Sequence, residues 1–199
     1  MNVPTCRLPF YMEELKKKDR YTYIHSLHVA KLTNIFCKLL KVSKEETEEI
    51  TISAILHDIG KIKVPLHILQ GTTKLSDEEW SQMQQHPIFG VEYLKDSNFN
   101  NTILQNILCH HERLSGKGYP HNLTENNIPF GAKIIAIADS LDAMLTNRSY
   151  RRRLSFEQAK EEIAKNINVM YDKVIANTVL ANWNIIESYY SCDFIKNQV

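Results

Sequence analysis

His110-His111-Glu112-Arg113-Leu114-Ser115-Gly116-Lys117-Gly118-Tyr119-Pro120 is the stretch around which this 199-residue chain is organised. Two adjacent imidazoles stand at what reads as a helix end. The Gly-x-Gly-Tyr-Pro run behind them bends the backbone sharply, so nitrogen ligands are presented beside a tight turn. Packing does not ask for that arrangement, whereas a binding site does. A second vicinal pair, His57-Asp58, is followed closely by Lys61, and His25, His86 and Asp139 are isolated polar residues in apolar surroundings. Together they make an inventory of metal ligands.

The length suits one domain with a substantial core. Lys+Arg 24 against Asp+Glu 23 gives a formal net charge of +1. Nothing global therefore calls for DNA, an anionic membrane or an acidic partner, and any anion has to be recognised locally. Cys6, Cys37, Cys109 and Cys192 have no paired spacing, and no N-terminal apolar stretch leads to a cleavage site. A reduced, cytoplasmic protein is expected. Cys109, beside His110, reads as a small buried residue rather than a ligand. No run approaches the ~18 apolar residues of a membrane span.

Hydrophobic periodicity points to an all-α fold, with no hairpin signal, internal repeat or low-complexity tract. Residues 1–19, with Pro4, Pro9 and the basic Lys16-Lys17-Lys18 run, read as a lead-in, 20–190 as the domain and 191–199 as a C-terminal tail. A long helix is expected over 21–40, carrying His25; His28 on the same helix has no comparable claim. Ser43 with Glu46 has the form of a capping box and opens a helix that leads to His57-Asp58 and ends by Gly60. A second box, Ser76 to Glu79, opens a helix carrying Trp80, Met83 and His86. Further helices are expected over 101–111, 130–145, 155–166 and 172–190. His67 and His121 fall in loop-like stretches and read as exposed. Glu112 reads either as a carboxylate orienting an imidazole or as a surface charge.

An Asp directly after a His at the end of an apolar helix is hard to explain as packing, because a buried carboxylate needs a cation or several donors. His25, His57, Asp58, His86, His110, His111 and Asp139 lie on separate predicted helices and are able to converge inside a bundle, a usual place for a dinuclear centre. Two divalent ions need a bridging carboxylate, for which Asp58 is the candidate, and such a pair can hold a hydroxide that attacks phosphorus in line. Mixed imidazole and carboxylate donors suit iron, manganese, zinc or cobalt rather than calcium, and the ligand types alone do not choose among them.

Leu56-His57-Asp58-Ile59-Gly60-Lys61, the His86-Pro87-x-x-Gly90 element, the His110 to Pro120 run and Ile137-Ala138-Asp139-Ser140-Leu141-Asp142-Ala143 resemble the HD-GYP family of bacterial cyclic di-GMP phosphodiesterases. The match covers residues 20 to 190 in order, and the long histidine-to-proline run separates this subfamily from other HD phosphohydrolases. The resemblance implies a helical HD bundle that cleaves cyclic di-GMP to pGpG, and on to GMP in some members. It implies the same seven metal ligands, with two divalent ions, iron or manganese first and zinc, cobalt or nickel as alternatives. By the same resemblance Lys61 holds a phosphate oxygen or helps protonate the leaving 3′ oxygen, Tyr119 lines the pocket, and Arg148 and Arg151 contact substrate phosphates.

Two departures stand out. Family members with three metals carry a Glu one turn before the first histidine, where this chain has Tyr21, so two ions are expected. The family's Gly and Phe-Asp-Pro are replaced by Asn168 and Tyr171-Asp172-Lys173, a change at a helix start. With no receiver or sensor domain in the sequence, regulation is expected from the N-terminal segment, a homodimer, or a separate protein such as a diguanylate cyclase. The competing expectations are a phosphohydrolase for another cyclic dinucleotide or nucleotide, and a non-catalytic sensing or adaptor module.

Overall fold

The computed structural model describes residues 7–147 and 152–192, and among these the chain is a set of helices without a sheet. In order they are α1 (Leu8–Lys18), α2 (Arg20–Leu39), α3 (Lys44–Leu56), α4 (Leu66–Leu69), α5 (Asp77–Met83), α6 (His86–Leu94), α7 (Asn101–Cys109), α8 (Phe130–Leu145), α9 (Phe156–Lys165), α10 (Lys173–Ala181) and α11 (Trp183–Cys192), with 3-10 turns at Ile59–Lys63 and Glu125–Asn127.

Side chains start these helices where sequence-local chemistry asks for it. Asp19 accepts from the Thr22 amide at 2.9 Å, Ser43 from the Glu46 amide, and Asn100 from the Ile103 amide. Ser76–Glu79 and Ser155–Gln158 form complete reciprocal capping boxes. Each such cap is worth about 1 kcal/mol.

Two apolar clusters hold the bundle together. The larger joins Val29, Leu32 and Phe36 of α2 and Ile50 and Ala54 of α3 to Ile134, Ile135 and Leu141 of α8, closed by Ile175 and Val179 of α10 and Ile186 of α11. In the other, Ile52 and Leu56 of α3 meet Leu94, Ile103 and Ile107. Thus α3 contributes alternate faces to both clusters and then ends at His57-Asp58.

The expected lead-in is instead part of this body. α1 buries Tyr11, Met12 and Leu15 in the second cluster, while Lys16 and Lys17 remain solvated. Burying such side chains is worth about 1.5–3 kcal/mol each, so α1 cannot be regarded as an appendage. Two long expected helices are broken. α5 stops at Met83, and His86-Pro87 start α6, because a proline without an N–H fits the first turn of a new helix and not the interior of an old one. The 172–190 helix is interrupted at Asn182, whose side-chain amide donates to the Thr178 carbonyl at 2.8 Å and so satisfies a terminal acceptor of α10.

Gly60 does not end a helix; it lies within the 3-10 turn and lets that turn lie against α6 backbone to backbone. A Cβ here would fall onto the His86 carbonyl, only 2.9 Å from its carbon, and onto the Gly90 amide nitrogen. Gly60→Ala should therefore push α6 away and destabilise the protein by about 1–3 kcal/mol, read as a lower denaturation midpoint. Because His86 rides on the displaced segment, its imidazole would move as well.

Candidate metal centre

All seven expected ligands lie in one region. His25 comes from α2, His57 from the residue following α3, Asp58 next to it, His86 from the start of α6, His110 and His111 from the end of α7, and Asp139 from the middle of α8. Asp58, His86, His110 and His111 each offer an atom within 4.8 Å of the others, and so do His25, His57 and Asp58. Asp58 belongs to both groups. Asp139 lies on their seam, with Oδ1 3.0 Å from His25 Nε2 and Oδ2 3.8 Å from His111 Nδ1.

The imidazoles are oriented from behind. Nδ1 of His57 donates to the Ala54 carbonyl at 2.7 Å, Nδ1 of His86 to the Met83 carbonyl at 2.8 Å, and Nδ1 of His110 to the Ile107 carbonyl at 2.7 Å. A carbonyl only accepts, so each of these rings carries a proton on Nδ1 and turns Nε2 inward. His86 Nε2 and His110 Nε2 then face each other at 3.3 Å, with Asp58 Oδ1 3.3 Å from His86 Nε2. His57 Nε2 and Asp58 Oδ1 are buried and make no hydrogen bond among the described residues. Acceptors gathered in this way fit a cation.

The electrostatics agree. Burial pushes His86 down to about 4 and holds His110 and His111 well below the ordinary imidazole range, neighbouring imidazoles adding to the effect. These rings are neutral donors at physiological pH. For His25 burial works downward, but hydrogen bonds to Asp139 and Asp142 outweigh it and raise the group to about 10. Burial would raise Asp58, yet the Lys61 ammonium at 2.7 Å and the surrounding imidazoles keep it well below the usual carboxylate range.

The remaining candidates divide. Lys61 contacts Asp58 and is partly exposed at the edge of the cluster. Tyr119 lies over His111, ring centroids 4.6 Å apart, and exposed Trp80 stands edge-on to it at 6.2 Å. Tyr21 stacks parallel to the His25 ring at 6.3 Å and approaches Thr146 Oγ1 at 3.5 Å. Arg148 and Arg151 lie outside the described residues. Cys109 is buried, as expected, and burial pushes its thiol up to about 11; His67 and His121 are exposed.

Glu112 is neither of the two things expected of it. It is buried and accepts from the amides of His121 at 2.7 Å and Leu123 at 2.9 Å, pinning the far side of the Gly-Tyr-Pro loop to the end of α7. Arg113 holds the near side, donating to the carbonyls of His110 and Glu112. Glu112→Ala should cost about 1–3 kcal/mol from the stranded amides, measurable by chemical denaturation. Sequence reasoning also passed over Asp142 and His28. Asp142 accepts from His25 Nδ1 at 2.6 Å and from His28 Nδ1 at 3.1 Å. The available signal was spacing, since Asp142 follows Asp139 by three residues and shares its helix face.

A helical bundle whose interior gathers histidines and aspartates from five helices and their ends has the form of an HD domain, with a cluster able to hold metal. The HD domain family model matches residues 9–175, and the chain belongs to that family. Its curated relatives include a cyclic di-GMP phosphodiesterase of Thermotoga maritima, 36% identical over 167 residues, covering 82% of this chain and 45% of the relative. A Pseudomonas aeruginosa cyclic di-GMP phosphodiesterase is 34% identical over 152 residues, 76% of this chain and 37% of the relative. A 3′3′-cGAMP-specific phosphodiesterase of Vibrio cholerae is 31% identical over 172 residues, 85% of this chain and 33% of the relative. The chain thus spans less than half the length of each. Among solved structures, an HDG"Y"P protein from Bdellovibrio bacteriovorus has the same fold, with TM-score 0.67 and 23% identity over 82% of this chain and 51% of that one. So does the HD domain of a Listeria monocytogenes phosphodiesterase, solved with cyclic-di-AMP, with TM-score 0.64 and 19% identity over 88% of this chain and 96% of that one. Among the described residues no helix is long and apolar enough to cross a membrane.

Proposed function

We propose that the chain is a metal-dependent phosphodiesterase that opens cyclic di-GMP to linear pGpG in the cytoplasm, with hydrolysis on to GMP as a further step. The observation that carries this reading is the sharing of Asp58 by two ligand groups, toward which His57, His86 and His110 all turn Nε2 while their Nδ1 atoms are engaged by main-chain carbonyls. His25, His57 and Asp58 would hold one divalent transition-metal ion, and Asp58, His86, His110 and His111 the second, with Asp139 between them. Iron and manganese suit the mixed donors best, with zinc, cobalt or nickel as alternatives. Such ions, when bound, supply Lewis acidity at phosphorus and lower the pKa of water.

The protein's own groups would do the rest. Lys61, tethered to Asp58, is placed to hold a phosphate oxygen or to deliver a proton to the leaving 3′ oxygen. Tyr119 and Trp80 offer aromatic faces beside the cluster, where a base could stack. Arg148 and Arg151 are the proposed phosphate contacts, guanidinium being suited to bidentate pairing. A homodimer, or a separate regulator such as a diguanylate cyclase, is the proposed means of control.

The test is a turnover assay on iron- and manganese-loaded protein with cyclic di-GMP, 3′3′-cGAMP and cyclic di-AMP in parallel, beside metal analysis. Two ions per chain and chelator-sensitive cleavage, fastest on cyclic di-GMP, are expected. Faster cleavage of another dinucleotide would reassign the substrate. Binding without cleavage would make the chain an adaptor. Three tightly held ions would refute the inference drawn from Tyr21.

A further inference from the structure

Among the inward-facing imidazoles, His25 is held differently from those of His57, His86 and His110. Its Nδ1 donates to a carboxylate, Asp142, where theirs donate to main-chain carbonyls. Asp142 is 1% exposed and its two oxygens are divided between partners. Oδ2 accepts from His25, and Oδ1 accepts from His28 Nδ1 at 3.1 Å and from the Tyr190 hydroxyl at 3.0 Å. Its own main-chain carbonyl accepts from Thr146 Oγ1 at 2.6 Å. Donors on both oxygens fix the plane of the carboxylate, and through it the plane of the His25 ring.

Tyr190 comes from α11, beyond the residues 9–175 that match the family model, and is 2% exposed, packed near Phe156 and beside Tyr189. A buried phenol aimed at a buried carboxylate directly behind a site histidine is more than core packing requires, since a phenylalanine would fill the same volume without a polar atom to satisfy.

We infer that Tyr190 is a positioning residue for one ion of the pair: by fixing Asp142 it sets the His25 imidazole, and hence the His25–His57–Asp58 group, while His86, His110 and His111 of the other group are oriented by main-chain carbonyls and neighbours of their own. The inference rests on the metal-centre reading above. Its physical basis is that a carboxylate behind an imidazole holds the ring in place and raises the basicity of the opposite nitrogen, and losing such a partner typically costs about 10–100-fold in metal affinity. The selectivity comes from connectivity. Asp142 meets His25 directly, and from there the second group is reached only at one remove, through Asp139 and the shared Asp58.

Wild type, Tyr190→Phe and Asp142→Asn would be loaded with Mn(II), titrated with a competing chelator while ions per chain are counted, and followed by electron paramagnetic resonance. Thermal midpoints of the metal-free proteins would be measured alongside. Tyr190→Phe should weaken one ion by about 10-fold and leave the other unchanged, and Asp142→Asn should weaken the same ion by nearer 100-fold. In both variants the coupled two-ion spectrum should give way to that of a single ion at intermediate chelator concentration. A structural role would instead lower the metal-free midpoint and weaken both ions together, which would overturn the inference, as would two unchanged affinities in Tyr190→Phe. Wild type that fails to hold two ions would overturn the metal-centre reading and this inference with it; that outcome is told apart because it appears before any substitution is made.

Discussion

Asp58→Asn should abolish turnover and empty the site of both ions, because this one carboxylate belongs to both ligand groups. The substituted amide keeps the shape and one oxygen but loses the charge that offsets two cations. The charge stabilisation a metal supplies is worth several kcal/mol, so a fall of at least ~10³-fold in kcat is expected. Metal analysis of the purified variant should find well under one ion per chain. The metal-free protein should still fold, since the apolar clusters are untouched and the partly exposed Lys61 left behind can turn to water. A variant that kept the wild-type rate would end the proposal that Asp58 bridges.

Stripping the metals from the wild type is the second large effect. Without cations the centre holds a buried Asp58 and Asp139 against imidazoles whose inward nitrogens face one another at 3.3 Å, an arrangement that a bound cation would satisfy. At an ion concentration about 1,000 times its Kd, one bound ion adds roughly 4 kcal/mol. Chelation of both ions should then lower the thermal midpoint by at least about 15 °C for a chain of this size. Replenishment with manganese or iron should restore it, and restoration with magnesium at the same concentration would argue against imidazole coordination. A midpoint indifferent to chelator would mean that the cluster is satisfied without metal.

Much of this was legible because it is local. α2, α3 and α8 announce themselves by apolar spacing, α3 also by its Ser43 cap, and a histidine amid isoleucines is conspicuous wherever the chain later goes. The substitution of Asn168 for a family glycine was also readable as a backbone matter. Asn168 takes φ 63°, the left-handed conformation that asparagine tolerates better than most residues, and Asp172 then caps α10. What escaped was decided by tertiary partners. α1 ends in a Lys16-Lys17-Lys18 run that reads as solvated, and only its neighbours reveal that Tyr11, Met12 and Leu15 are covered. Glu112 cannot be told from a surface glutamate until the loop folds back over it, and Gly118 allows that return, since a Cβ there would lie 2.6 Å from the Glu112 carbonyl carbon. Asp142 and Tyr190 are 48 residues apart and meet only in the folded core.

The Nδ1 contacts of His57, His86 and His110 also bear on how site-directed variants will have to be interpreted. Each ring ties down a carbonyl from the final turn of α3, α5 or α7. Truncating any of the three to alanine deletes a proposed donor to metal and unfastens a helix terminus in a single step. Scanning mutagenesis at these positions will overstate what each nitrogen contributes to chemistry unless unfolding free energies of the metal-free variants are subtracted first.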